Sequence, residues 1–186
     1  RLGATSTSRS TLFSNATARG LDVMTGVSPD QVGLPTPCTE WSVQDLLDHM
    51  VGSTGYLLAA LQGREPALVT GATARDYEAG RAEVLAGLAE PGALERTCRS
   101  PLGFDWTIEQ ATAGTFMDNL IHTWDLATAT GQNATLDAKL VEACIAMFLP
   151  DMPERGRASG LVGPEVMVDA GATAQDRLLA AMGRQP

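Results

Sequence analysis

Histidine is scarce in this 186-residue chain: there are two, His49 and His122. Chemistry that needs many imidazoles is excluded, and any site that uses one draws on these positions. Cysteine is nearly as scarce. Cys38, Cys98 and Cys144 are odd in number and far apart, so neither a disulfide framework nor a cysteine-rich zinc site is expected, and a reducing cytoplasm is the default location. Basic residues are outnumbered 22 to 13 by acidic ones, for a net charge of −9, which argues against nucleic acid as a partner because no basic patch of useful size appears in the sequence. No apolar run is long enough to span a bilayer. The first residues, RLGATSTSRS, lack the apolar core of a signal peptide and an initiating Met, so some preceding residues are expected to have been removed. Internal repeats, low-complexity tracts and long linkers are also missing. With 44% apolar residues, the expectation is one domain over 1–186 with a real core and a flexible stretch at 1–10.

What is present is helical periodicity. Ser10 or Thr11 is a candidate cap for a first helix reaching about Gly26, with Leu12, Phe13, Ala16, Leu21 and Met24 inward. Four punctuating residues, Pro29, Gly33, Pro35 and Pro37, then break the chain. Ser42 and Asp45 form a capping-box pattern ahead of a long helix that ends at Gly63, its apolar face carried by Val43, Leu46, Leu47, Met50, Leu57, Leu58 and Leu61. A third helix is predicted over 72–89. Residues 94–107 read as irregular or a short hairpin turning at Pro101-Leu102-Gly103. Another helix starts near Thr107 and stops before Gly131, and a fifth runs from about 136 to 149. The segment from 150 to 173 reads as loop with a short extended piece at 166–168, before a last helix, QDRLLAAM. Four long helices, short extra ones and little strand predict an all-α up-and-down bundle.

The stretch 114–131, GTFMDNLIHTWDLATATG, organises the chemistry. Met117, Leu120, Ile121 and Trp124 form one apolar stripe, and Thr115, Asp118, His122 and Asp125 form a polar stripe beside it. Asp118 and His122 are one turn apart on one side, where both can ligate one ion, and His49 lies at the flank of a second periodic helix. Two imidazoles and a carboxylate suit Zn, Ni or Fe(II) and leave coordination open for water or substrate. Asp125 is a candidate for orienting His122, while Asp45 is a candidate for orienting His49 or for replacing Asp118 as ligand. The plain alternative is two hydrogen-bonded boundary histidines. Cys38, between Pro37 and Thr39 with no basic neighbour in sequence, reads as a buried or boundary thiol rather than a nucleophile, and Trp41 and Trp124 read as core anchors. Arg64, Arg99 and Arg184 are conceivable anion anchors, solvated arginine being the simpler reading. Glycine-rich phosphate loops and serine-hydrolase patterns find no support.

Two stretches, LPTPCTEWSVQDLLDHMVG and DNLIHTWDLATATGQ, resemble the motifs of the DinB-like metalloprotein superfamily. The branch is that of the mycothiol-dependent maleylpyruvate isomerase N-terminal domain, and the closing LLAAMGRQP is similar to the ending of its single-domain actinobacterial group. The resemblance implies an up-down-down-up four-helix bundle with a divalent metal, most often Zn, between helices, held by His49, Asp118 and His122. It further implies a metal that activates a low-molecular-weight thiol (mycothiol) or water, for S-transfer to, or isomerisation of, a small electrophile. In isomerase relatives the thiolate adds to a conjugated double bond, permits rotation and leaves. The pattern departs at Asp118, where many relatives carry His or Glu, and the isomerase has a further C-terminal domain. A non-catalytic metal- or ligand-binding module is the alternative, and a homodimer through helix faces bearing Tyr56 or Leu58 is a further expectation.

Overall fold

Ser8, rather than Ser10 or Thr11, starts the first helix: its hydroxyl accepts from the Thr11 N–H at 3.2 Å. In the computed structural model, which describes residues 7–186, helix α1 accordingly covers Arg9–Thr25. Of the stretch 1–10, expected to be flexible, residues 9 and 10 are helical and 1–6 lie outside the described residues. A single 3-10 turn and a proline-rich loop lead to α2 (Val43–Gln62), whose Ser42/Asp45 capping box closes as predicted and whose C-terminal Gly63 takes the left-handed conformation. Helix α3 (Ala74–Leu88) is capped by Thr73 and Asp76 in the same way. A hairpin of β1 (Thr97–Arg99) and β2 (Asp105–Thr107), in register Cys98↔Trp106, precedes α4 (Ile108–Ala129). Gly131, in the left-handed conformation, stops α4 as Gln132 N–H reaches back to Ala127 O.

Side-chain pairs fix how these four helices run. Gln44 donates to Ala72 O, Thr54 lies against Gly80 and Leu61 against Gly87, so α2 and α3 are parallel. Arg81 reaches Thr17 while Tyr77 meets Gly20, so α1 and α3 are antiparallel. Tyr56 bonds Trp106, Ser53 bonds Asn119 and His49 meets His122, so α4 returns antiparallel to α2 and parallel to α1. The result is the up-down-down-up bundle. Its centre is filled by fully buried Phe13, Leu46, Met50, Leu57, Tyr77, Ile108, Phe116, Leu120 and Leu126. Each such apolar side chain contributes about 1.5–3 kcal/mol by leaving water. Gly20 is a close-packing point: a Cβ there would stand 2.9 Å from Tyr77 Oη, 3.1 Å from Thr123 Oγ1 and 3.5 Å from Met50 Cε. Three helices converge on α1 at that residue.

The bundle and hairpin make one compact unit ending at Ala134, and the residues from Thr135 make a second. The second unit holds α5 (Ala138–Phe148), α6 (Asp151–Ala158) and α7 (Ala174–Ala181). Helix α6 corrects the loop expected there. Pro153 sits in its first turn, where the missing N–H has no helical partner in any case. Gly156 accepts Val162 so closely that a Cβ would lie 2.3 Å from Val162 Cγ2. The extended piece expected at 166–168 is not a strand; Val166 N–H instead bonds Ala180 O at 3.0 Å.

Candidate metal centre

Helix α2 carries His49 on the side that faces α4, and α4 carries Asp118 and His122 one turn apart on the side that faces back. Their donor atoms converge. His49 Nε2 lies 3.1 and 3.0 Å from the two Asp118 oxygens, and His122 Nε2 lies 3.3 Å from Asp118 Oδ1. Donors at about 2.1 Å from a common ion are separated by about 3.0–3.4 Å at octahedral to tetrahedral angles. The three residues therefore fit a divalent cation by donor type and by spacing, and one ligand atom from each lies within 4.8 Å of the others. The His49 and Asp118 side chains are 35% and 29% exposed, against 11% for His122, so the cluster is approached from the His49–Asp118 side.

Electrostatics agree with that fit. Burial pushes the Asp118 carboxyl upward, but the His122 and His49 imidazoles beside it outweigh burial and hold it well below the usual carboxylate range. Burial likewise opposes charge on His122, yet Asp118, with help from Asp125 and Cys38, raises it well above the usual imidazole range. In the metal-free protein a proton on His122 thus compensates the carboxylate, and a cation can replace that proton.

Behind His122 stands a second layer. Its Nδ1 lies 2.8 Å from Oδ2 of Asp125, which is completely buried. Nδ1–H donating to this carboxylate fixes the tautomer and turns the Nε2 lone pair toward the cluster. Cys38 Sγ donates to the same Oδ2 at 3.2 Å and lies 3.7 Å from Nδ1. The Trp41 ring tilts over both histidines, with centroid separations of 4.8 Å to His49 and 5.8 Å to His122. Both residues come from the loop before α2. Thr36 Oγ1 bonds the carbonyls of Cys38 and Trp41, and Glu40, between them, takes a left-handed backbone (φ 74°) that costs an L-residue about 1 kcal/mol.

Cys38 and Trp41 are the site residues that sequence reasoning missed. Cys38 has the boundary exposure expected of it, but its place beside the donor cluster was not foreseen, and Trp41 is half-buried rather than a core residue; the one available signal was that they share the PCTEW stretch a few residues ahead of His49. Trp124 is a core residue as expected. Asp45 corrects an expectation: its Oδ2 caps the α2 N-terminus, accepting from Ser42 N–H and Oγ–H at 3.0 Å, and it is outside the donor group that His49 joins. Thr115 turns to its own helix, bonding Ala111 O. Of the candidate anion anchors, Arg64 bonds Gln62 and Arg99 pairs with Asp105 at the hairpin, while Arg184, in the second unit, bonds Met182 O.

Comparison with known proteins follows the same line. The family model of the mycothiol maleylpyruvate isomerase N-terminal domain matches residues 13–127, more than half of the chain. The chain belongs to this family. The match ends inside the first unit and takes in α2 and α3, most of α1 and α4, and the three converging donors. An uncharacterised protein of Mycobacterium tuberculosis, found in two strains, is 34% identical over 150 residues, covering 77% of this chain and 73% of its own. Among solved structures, the mycothiol-dependent maleylpyruvate isomerase and a point mutant of it superpose with TM-scores of 0.59 and 0.64. Both are 13% identical to this chain, over 80% of it and 71% of theirs, a likeness of fold. Among the described residues no helix is long and apolar enough to cross a membrane.

Proposed function

We propose that this protein is a divalent-metal enzyme of the mycothiol-dependent type, which activates mycothiol, or water, against a small electrophile in an S-transfer or isomerisation reaction. The observation that carries this reading is the convergence of His49, Asp118 and His122 from two antiparallel helices, with one donor atom of each within 4.8 Å of the others. Two imidazoles and one carboxylate favour Zn, with Ni and Fe(II) next. The metal's contribution, when bound, is Lewis acidity, which lowers the pKa of a thiol or water enough to make it a nucleophile near neutral pH.

The chain's own residues do the rest. Asp118 supplies the negative charge of the ligand set, and its exposure with His49 leaves an approach for substrate. Asp125 holds the His122 proton at Nδ1, so the Nε2 lone pair stays available. Trp41 covers the two imidazoles with an apolar face, which keeps bulk water from one side of the cluster. A conjugated carbonyl compound such as maleylpyruvate, on which the family's isomerase acts, is the first electrophile to offer. A reducing cytoplasm is where such a thiol co-substrate would be held.

The test is metal content by plasma mass spectrometry on protein purified without a histidine tag. Wild type is expected to carry about one equivalent, with His49→Ala and His122→Ala carrying none. Added Zn should raise the melting temperature of the wild type alone, since an ion that binds only the folded state stabilises it, by about 2.7 kcal/mol at a hundredfold excess over Kd. Consumption of mycothiol by the loaded protein in the presence of a conjugated electrophile then tests the reaction. A wild type without metal and without a thermal shift sinks the proposal; metal without thiol consumption leaves a binding module in place of an enzyme.

A further inference from the structure

Cys38 and Asp125 meet His122 at Nδ1, the ring nitrogen other than the one that meets Asp118. Two groups of possible ligands therefore share one imidazole through its two different nitrogens: His49, Asp118 and Nε2 on one side, Cys38, Asp125 and Nδ1 on the other. An ion among the first three cannot take Cys38 as a ligand, because the imidazole ring stands between them. Either the second group holds its own ion, or it is a hydrogen-bonded buttress. The geometry favours the buttress. The 2.8 Å between His122 Nδ1 and Asp125 Oδ2 is a charge-assisted hydrogen-bond length, shorter than the separation of about 3.3 Å that two donors keep around a tetrahedral ion. Cys38 Sγ at 3.2 Å from the same oxygen is within reach for S–H donation.

We propose that Cys38 is a positioning residue for the metal centre: its thiol donates to Asp125 Oδ2 and so aims that buried carboxylate at His122, whose other nitrogen ligates the ion. This rests on the metal reading above and adds a role to it. Asp125 is sealed from water, so the direction its carboxylate faces is set by the groups that donate to it, and Cys38 is one of them. The loop contacts of Thr36 and the left-handed Glu40 hold the thiol at that oxygen. A thiol spent in this way is neither nucleophile nor ligand. It transmits the position of the loop before α2 to a donor on α4.

Cobalt(II) titration of the metal-free full-length protein tests this in wild type, Cys38→Ala and Cys38→Ser, with circular dichroism melts to confirm folding. All three are expected to bind one equivalent without a thiolate-to-cobalt charge-transfer band. Cys38→Ala should bind about tenfold more weakly, as for loss of an outer partner of a metal ligand, with an altered d–d envelope. Cys38→Ser, whose hydroxyl still donates, should return toward wild type in both. Should Cys38→Ala fail to fold, Cys38→Val, which fills the thiol's volume without a donor, takes its place. A charge-transfer band or a second equivalent that vanishes in Cys38→Ala would make Cys38 a ligand and overturn the proposal. So would wild-type affinity and spectrum in Cys38→Ala, or a Cys38→Ser no better than Cys38→Ala. In these cases the metal centre stands. A wild type that binds no cobalt removes the centre itself, and this role with it.

Discussion

Asp118 and Asn119 are neighbours on α4 and open onto two polar clusters of opposite character. Asn119 is fully buried and its amide is matched: Tyr77 Oη donates to its Oδ1 at 2.6 Å, and its Nδ2 donates to Thr115 O at 2.8 Å and Ser53 Oγ at 3.3 Å. Every partner is neutral, and both amide atoms of Asn119 are matched, so this cluster closes on itself. Burial, followed by the nearby Asp118 charge, pushes the Tyr77 phenol far up and keeps it protonated as the donor. Asp118, one residue earlier, meets two imidazole nitrogens on a half-exposed surface. Three bases pointed at one another lack a positive charge at their centre unless a proton or a metal supplies it. The inner cluster thus serves structure because its donors and acceptors balance, while the outer one has the imbalance that a bound cation would relieve.

Exchanging the two residues should break the contrast most sharply. Asn119→Asp puts a carboxylate among neutral partners and should cost about 3–5 kcal/mol in urea denaturation at neutral pH. Asp118→Asn should leave a folded protein whose metal affinity, by competition with a chelator, falls by about a hundredfold or more. An Asn119→Asp protein as stable as wild type would show that the inner cluster admits charge after all. Tyr77→Phe is a gentler probe: it strips the donor from buried Asn119 Oδ1 and should cost about 1–3 kcal/mol while leaving metal stoichiometry at the wild-type value. A loss of metal in that variant would mean that the two clusters are one.

The smallest effect is one of pH. His122 in the metal-free protein titrates above its ordinary 6.5, so its contribution to stability is fully present below that value and is lost as pH rises through the raised folded value. Asp118 titrates below its ordinary 3.8, so its contribution is present above that and is lost as pH falls. Metal-free protein should therefore weaken as pH climbs from about 6.5, whereas a bound ion replaces the proton and is held better there. The melting-temperature gain on adding Zn should grow between pH 6 and pH 9. A gain that is flat or shrinks over that range would place the compensating charge elsewhere.

How much of this was legible depended on periodicity. The four bundle helices, the Ser42/Asp45 cap and the Asp118–His122 turn are written in spacings of three and four, and His49 follows from being the second of two histidines on a second periodic helix. The inner cluster was not legible, because Asn119 and Tyr77 carry no sign of which polar group will meet which. Cys38 and Trp41 escaped for another reason. They belong to a loop whose path is set by prolines, by side chain to backbone bonds from Thr36 and by the left-handed Glu40, none of which has a period. Helix α6 was hidden by Pro153 and Gly156, which read as breakers until their positions in the first turn and against Val162 are known. Asp45 was ambiguous because a capping carboxylate and a ligand carboxylate look alike in sequence.

The antiparallel register of α2 against α4 has a consequence for how the molecule reaches its final form. His49 arrives on one helix and its two companions on another, and the connection between them runs through the whole of α3 and the hairpin. A slip of a single turn, about 5.4 Å along either axis, would part His49 from Asp118 while leaving most apolar positions able to find some apolar neighbour. Hydrocarbon packing tolerates such near-misses; a three-donor cluster does not. Under the proposed function, occupancy by an ion would act as a proofreader, holding chains whose helices have stopped in step and leaving the others free to try again.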